Sequence, residues 1–416
     1  MEHRKVVIIG AGPAGAVAAA LLRHQAYDVL VLERQTFPRF SLGESLLPHC
    51  MEYLDAAGML PAVHAAGFQH KNGAAFACGD LYTSIDFREK FSPGPGTTYQ
   101  VQRAHFDQVL ADDAVRQGAE VQYRQEVLTA DFDGPHPVLE VRDLDSGEIR
   151  KIGADFVLDA SGYGRVLARL LELEYPSHLA PRKAIFTHIE DNIDDPGFDR
   201  EKILITVQPG DRRIWYWLIP FSNGRCSFGV VGEPHLLGPE DAPLNEILRA
   251  QADAAPNLKR LFRNAIWDTP VSSIGGYSAN VKSLHGRGFA LLGNAAEFLD
   301  PVFSSGVTIA LRSAKLAADA LHRQFQGETV DWDADFSRPL TQGVDTFRAY
   351  VQGWYDGGFQ DVVFHRHAQP EVTRMISAIL AGYAWDTHNP YVADPERRLR
   401  TLSEICAGSL DSALTS

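Results

Sequence analysis

The chain has 416 residues, enough for two or three domains or one elaborated α/β unit, and at 45% hydrophobic and 10% aromatic it can bury a large core. Its 39 basic and 53 acidic side chains leave a net charge of −14, which argues against nucleic acid or an anionic membrane surface as the main partner. Cys50, Cys78, Cys226 and Cys406 are scattered with no C-x-x-C pair, so neither a metal site nor a disulfide framework is indicated, and a reduced cytoplasm is the expected setting.

In chain order, Val6 to Ile9 reads as a buried strand, far too short for a membrane span. Gly10, Gly12 and Gly15 follow in a G-x-G-x-x-G pattern that also contains Pro13 and Ala14. Gly10 permits the tight turn, Gly12 lets backbone approach a pyrophosphate, and Gly15 lets the next helix pack on the strand. That helix, from Ala14 to about His24, points its amide end at the phosphates. Val29 to Leu32 is a second apolar strand, and Glu33 closes it, placed for ribose hydroxyls. Strand, turn, helix, strand and acid in this order indicate a dinucleotide site.

Arg34 to Pro48, containing Gly43-Glu44-Ser45, reads as a loop folded against the cofactor, and Cys50 to Leu60 as a helix. Lys71 precedes a strand whose alternation starts at Ala75, and Pro93 to Gly96 is a turn. The stretch Val101 to Asp107 opens a helix that runs to about Gln117, with Phe106, Val109, Leu110 and Ala114 on one face. Gly118 to Val121 begins another strand, and Asp155 to Asp159 a further one that meets a glycine turn at Gly162. Alternating stretches between Pro176 and Tyr277 indicate a large antiparallel sheet. The pattern from Gly286 to Ala296 returns to the first domain, Val307 to Leu321 is helical, and the tail is mostly helical with an aromatic run from Tyr350 to Phe364.

The expected architecture is α/β: a discontinuous Rossmann-like nucleotide-binding domain (1–175, with a substrate-side insertion around 67–100, and 278–325), an antiparallel β-sheet substrate domain (176–277) and a helical C-terminal region (326–416).

Four stretches together resemble the flavin-dependent halogenases, within the p-hydroxybenzoate hydroxylase-like FAD-dependent enzymes. Trp215-Tyr216-Trp217-Leu218-Ile219-Pro220 fits W-x-W-x-I-P at every fixed position. Gly43-Glu44-Ser45 fits a cofactor loop, Lys71 in Lys-Asn-Gly-Ala-Ala-Phe fits the family's catalytic lysine, and Asp300 to Val307 fits a halide-binding loop. The resemblance implies FAD, used as FADH2 from a separate flavin reductase, with chloride or bromide as co-substrate. It implies FAD contacts from Gly10, Gly12, Pro13, Ala14, Gly15, Glu33, Arg34, Gly43, Glu44, Ser45, Arg103, Asn294 and Asp300. Halide would meet the backbone amides of Ser305 and Gly306. Trp215, Trp217, Ile219 and Pro220 would form a wall between flavin and substrate, and Phe303 and Ser304 would face the substrate. Hypohalous acid made at the flavin would travel to Lys71 and there halogenate an electron-rich ring.

Two departures sharpen this reading. Phe303 stands where tryptophan halogenases carry a glutamate, a pattern similar to the phenol- and pyrrole-halogenating branch, whose substrates are free or bound to an acyl-carrier protein. Asn294 stands where the FAD fold usually has aspartate; it can still bond a ribityl hydroxyl, with weaker FAD binding expected. The alternatives are a single-component aromatic monooxygenase, a geranylgeranyl-reductase-like enzyme acting on a polyene or prenyl chain, and a non-catalytic flavoprotein.

Overall fold

The computed structural model describes residues 1–177, 179–365 and 369–414, with side chains up to 407. Strand Glu2–Ile9 is the axis of an eight-stranded sheet, pairing in parallel with Val29–Glu33 on one side and Ile149–Asp159 on the other. Val6, Val7 and Ile8 are fully buried because both faces of this sheet are covered, which is why the strand is a continuous apolar run. Glu120–Tyr123 extends the sheet beyond Val29–Glu33, and Phe289–Leu291 joins it beside Ile149–Asp159.

On one face, helix Pro13–His24 packs against the long helix Ser305–Phe325. The contact is built from small side chains, Ala16 to Ala20 with Ala314, Ala317 and Ala318, which let the two backbones approach. Gly15 has no alternative: a Cβ there would lie 1.9 Å from the Gly10 carbonyl oxygen.

The second sheet has seven strands, in the order Ser272–Gly275, Lys183–Glu190, Arg225–Gly232, Trp215–Pro220, Lys202–Val207, Gly73–Cys78, Leu81–Asp86. Its last two strands come from the early part of the chain. All pairings are antiparallel except that of Lys202–Val207 with Gly73–Cys78, which is parallel. These two strands are far apart in sequence, so no hairpin imposes the antiparallel direction.

Period-two alternation divides this sheet between two cores. Tyr216 and Leu218 pack with Phe228 and Val230 under helices Leu244–Ala254 and Pro256–Leu261. Trp215, Trp217 and Ile219 face the other way, into a cluster with Phe303, Tyr350 and Trp354. The tail helices Arg338–Tyr355, Gly358–Val363 and Pro370–Leu380 cover that second face.

Lys71 lies in neither sheet. It ends a three-residue strand, Gln69–Lys71, that pairs antiparallel with Thr98–Gln100, and Asn72 separates it from Gly73–Cys78. No helix among the described residues is long and apolar enough to cross a membrane.

Candidate active site

A cavity of about 890 Å³ lies between the two sheets. Two helix starts open into it. Gly12, Pro13 and Ala14 line it at the start of Pro13–His24; Ser304, Gly306 and Val307 line it at the start of Ser305–Phe325. Neither helix has a side-chain cap or an acidic residue in its first turn. Free amides and a positive dipole end therefore face open space in both places, the arrangement that binds anions. Ser304, the residue before the second helix, adopts the left-handed conformation (φ +56°), which turns the chain into the helix start. Gly12 keeps the first approach clear: a Cβ would meet only the Arg39 guanidinium, at 3.4 Å.

Around these amides the lining changes character along the cavity. Glu33, Arg34, Arg124 and Arg169 mark one region, and Trp215, Trp217, Ile219, Tyr277 and Phe298 form an apolar end. A long ligand with a charged middle and a flat ring system fits this gradient, as FAD does. Glu33 accepts hydrogen bonds from the amides of Ala11 and Gln35, each at 2.8 Å, so its carboxylate also braces the glycine turn. Arg34 is exposed and pairs with Glu126 at 3.1 Å. Arg103 is locked by Asp107 (2.7 and 3.0 Å) and donates to the Leu42 carbonyl, so it fastens the Gly43–Ser45 loop at the cavity edge. Glu44 is buried, with His188 Nε2 at 2.7 Å from its carboxylate. Asn294 lines the cavity from the turn Gly293–Ala295.

The aromatic wall is fixed from behind. Trp215 Nε1 donates to the Tyr355 hydroxyl at 2.8 Å, and Trp217 Nε1 donates to Ser227 Oγ at 3.0 Å. Both indole N–H groups are therefore engaged within the protein. Trp217 lies across Gly229 on the neighbouring strand, where a Cβ would sit 2.3 Å from the indole. Pro220 is buried at the strand end with the opposite parity and does not line the cavity, whereas Ile219 does.

Other residues expected at the cofactor or substrate stand behind the lining. Asp300 is buried and accepts from the Val302 amide at 3.0 Å and the Tyr355 hydroxyl at 2.9 Å. Burial pushes its carboxyl up to about 6. Gly15 and Ser305 are likewise absent from the lining. Phe303 is not on the cavity surface: Trp354 and Phe359 pack edge-on against it, with ring centroids at 5.8 and 5.4 Å.

Lys71 is also outside the lining, and it is 1% exposed. Its Nζ donates to Ser45 Oγ and to the Leu46 carbonyl, each at 2.7 Å, and lies 5.4 Å from the centre of the Phe87 ring. Among the described residues no carboxylate lies within salt-bridge distance of this amine. Burial pushes it down to about 7, toward the neutral form.

Residues not anticipated from sequence include Arg39, Tyr163, Tyr277 and Phe298 in the lining, and Tyr355 behind it. Tyr163 could have been found: it follows the glycine turn at Gly162, where Asp159 holds the loop by accepting from the amides of Ser161 and Leu167 at 2.9 and 2.7 Å. Tyr277 and Phe298 carry no periodic signal because they lie in irregular segments. Away from the cavity, His3, His136 and Asp155 gather at the surface with potential metal-ligating atoms within 4.8 Å of one another. The Asp155 carboxylate there is already bonded to His3 and Lys5, at 2.8 and 2.7 Å.

A family model described as an FAD binding domain matches residues 3–335. The 1H-pyrrole-2-carbonyl-[peptidyl-carrier protein] brominase of Pseudoalteromonas luteoviolacea is 30% identical, over 80% of each chain. The tryptophan 2-halogenase of Chondromyces crocatus is 30% identical over 78% of this chain, which spans 62% of that protein's length. A crystal structure of a flavoprotein/dehydrogenase from Cytophaga hutchinsonii superposes with a TM-score of 0.94 at 42% identity, over 98% of this chain and 100% of that one. With the glycine turn, the uncapped helix starts and the indole wall already in place, these likenesses show that the chain belongs to the FAD-binding family of the flavin-dependent halogenases.

Proposed function

We propose that this protein is an FADH2-dependent halogenase that generates hypohalous acid in the large cavity and halogenates a phenol or pyrrole through Lys71. The observation that carries this reading is Lys71 itself: an amine buried with no counter-ion among the described residues, lowered toward neutrality, one side chain away from the flavin cavity. Keeping a lysine in that state opposes folding, and such perturbation marks functional groups.

Bound as FADH2, the flavin supplies, with oxygen, the two-electron oxidation FADH2 + O2 + X⁻ + H⁺ → FAD + HOX + H2O. The amides at Ser305 and Gly306 hold chloride or bromide at the helix start. Trp215 and Trp217 present apolar faces, their N–H groups engaged elsewhere, and keep the ring substrate off the flavin. Lys71 then holds the hypohalous acid or takes its halogen, and the ring attacks. Phe303 offers no carboxylate to receive the ring's proton or to orient the reagent, so the substrate must carry its own activating group, as phenols and pyrroles do. The pyrrole-carrier-protein brominase among the relatives supports a ring of this class, free or carrier-bound. The single glycine fingerprint supports a separate flavin reductase as the source of FADH2, and the four scattered cysteines support a reducing, cytoplasmic setting.

A second reading has its own observation. Lys71 and Phe303 stand outside the cavity, and the cavity's apolar end would place a hydrophobic chain directly against the flavin. That geometry suits a flavin-dependent reductase or dehydrogenase, and a close structural relative is described as a dehydrogenase. The deciding experiment is mass spectrometry after incubation with FADH2, oxygen, bromide and a panel of phenols and pyrroles. The expected result is a bromine isotope pattern. Unhalogenated rings, together with hydride transfer to or from a polyene without oxygen, would establish the second reading.

A further inference from the structure

Lys71 and the cofactor loop are held on one template strand. Thr98–Gln100 pairs on one side with Gln69–Lys71, setting Lys71 opposite Thr98. On its other side it carries the loop: Ser45 bridges Gln100, the Val101 amide donates to the Glu44 carbonyl at 2.7 Å, and the Leu46 amide donates to the Tyr99 carbonyl at 3.1 Å. The backbones that bear Lys71 and Ser45 are thus fixed to each other by a third strand. Ser45 is 3% exposed and lines the flavin cavity; Lys71 lies behind it.

A lysine nitrogen has four tetrahedral vertices. Cε takes one, and the two acceptors at 2.7 Å, Ser45 Oγ and the Leu46 carbonyl, take two more. One vertex remains. In the ammonium it carries the third N–H; in the neutral amine that keeps both N–H bonds on these two acceptors, it carries the lone pair. Neither acceptor alone would achieve this, because rotation about Cε–Nζ has three staggered wells. The other groups facing the amine are the Phe87 ring and, as a titratable neighbour, the Cys50 thiol, which is buried with its Sγ 3.1 Å from Thr308 Oγ1.

We propose that Ser45 is a positioning residue for Lys71: its hydroxyl, with the Leu46 carbonyl, aims the amine's one free vertex, so that neutral Lys71 meets hypohalous acid with its lone pair in a single direction. This rests on the halogenase reading above. The step served is R–NH2 + HOX → R–NHX + H2O, in which the nitrogen lone pair takes the halogen, and a proton leaves nitrogen with the hydroxide as water. Transfer to the ring, R–NHX + ArH → R–NH2 + ArX, returns the amine. Ser45 also places its hydroxyl between the cavity where the oxidant forms and the amine that receives it.

The test uses the full-length FAD-loaded protein as wild type, Ser45→Ala, Ser45→Thr, Lys71→Ala and Lys71→Arg. The first readout is halogenated product per FADH2 oxidised, with a scavenger for free hypohalous acid; the ratio divides out any change in FAD loading. The second is independent of turnover: a pH titration of ¹³Cε-labelled lysines by NMR without halide or reductant, with Lys71 identified as the resonance missing in Lys71→Arg. Ser45→Ala should lower the product ratio roughly 10- to 100-fold, the scale of a misplaced reacting group. It should also move the Lys71 midpoint down, because the ammonium loses an acceptor. Ser45→Thr keeps the hydroxyl and should restore both. An unmoved midpoint in Ser45→Ala, or an unchanged ratio, overturns the proposal while leaving Lys71 catalytic if Lys71→Ala still loses product. A wild-type ratio in Lys71→Ala overturns the halogenase role beneath it, whatever the NMR shows.

Discussion

The start of helix Ser305–Phe325 and the end of strand Gln69–Lys71 hold opposite kinds of site. At the helix start the backbone donors lack caps and face an open cavity. At Lys71 the polar atom is enclosed and bonded to two acceptors. A place that keeps a charged ligand is recognisable by the partners it lacks. On the halogenase reading proposed above, the place that handles a short-lived reagent is marked by an ionisable group held in an unfavourable state. The first is a matter of geometry that the bare chain maintains at little expense; the second opposes folding and persists because the surroundings determine it.

The comparison is broken most severely at Gly12. Gly12→Val should weaken FAD binding on the order of 100-fold or more, by blocking backbone approach to the pyrophosphate. The fold should survive, since a Cβ there meets only the tip of the Arg39 side chain, at 3.4 Å. Gly15→Ala should do the reverse and damage the fold itself, because its Cβ would strike the Gly10 carbonyl. Flavin absorbance of the purified variants, set beside their thermal melts, separates the two effects.

At the other site, Lys71→Ala should lower halogenated product by about 100-fold or more, within the range for loss of a reacting side chain, while FADH2 oxidation continues. Lys71→Arg should not rescue it, because a guanidinium stays protonated. Product and flavin oxidation measured in the same reaction, with scavenger present, check both statements.

Lys71→Met sharpens the contrast without any turnover. Burial pushes the amine in the folded state down to about 7 from its ordinary value of 10.5. Between those values the unfolded chain binds the extra proton, so Lys71 makes wild-type stability rise with pH across that window. The penalty it imposes is full below pH 7. Methionine removes it, so the stability of the variant relative to wild type should fall between pH 6 and 9.5 by on the order of 3 kcal/mol. Urea melts at the two pH values measure this; equal differences at both would show that the amine is not held near neutrality.

The smallest effect is expected at the wall. Trp217→Phe keeps an apolar face toward the cavity but loses the hydrogen bond to Ser227 and the part of the indole that covers Gly229, together on the order of 1–3 kcal/mol of stability. Halogenation should stay within a few-fold of wild type. Complete loss of activity with FAD still bound would show that the indole does more than pack.

Local signals were readable and long-range ones were not. Strand, glycine turn, helix and acid lie within one short stretch, so the cofactor end could be assembled from neighbours in sequence. The alternation of Trp215, Trp217 and Ile219 likewise fixes one face; the same period excludes Pro220 from it, a consequence of the pleat that the motif alone obscures. Lys71 is a different case. Its partners Ser45 and Leu46 precede it by about two dozen residues and reach it through the template strand Thr98–Gln100, a pairing that no local pattern encodes. Phe303 and Asp300 were expected to meet substrate and cofactor, but residues from the tail occupy those directions: Trp354 and Phe359 pack on the first, and Tyr355 bonds the second. The tail's helical periodicity was visible, but not the surface that its helices cover.

The indole of Trp217 resting on Gly229 has a consequence for how this wall can diversify. The two positions are coupled in one order only. Any side chain introduced at 229 while the tryptophan remains collides with it, whereas shrinking residue 217 first leaves a bare patch of strand that residue 229 can then fill. A lineage, natural or in the laboratory, that widens the apolar end of the cavity must pass through the smaller residue at 217 before it can change the strand behind. Libraries that vary Gly229 alone will sample dead ends, and the productive double variants will be reached from one side.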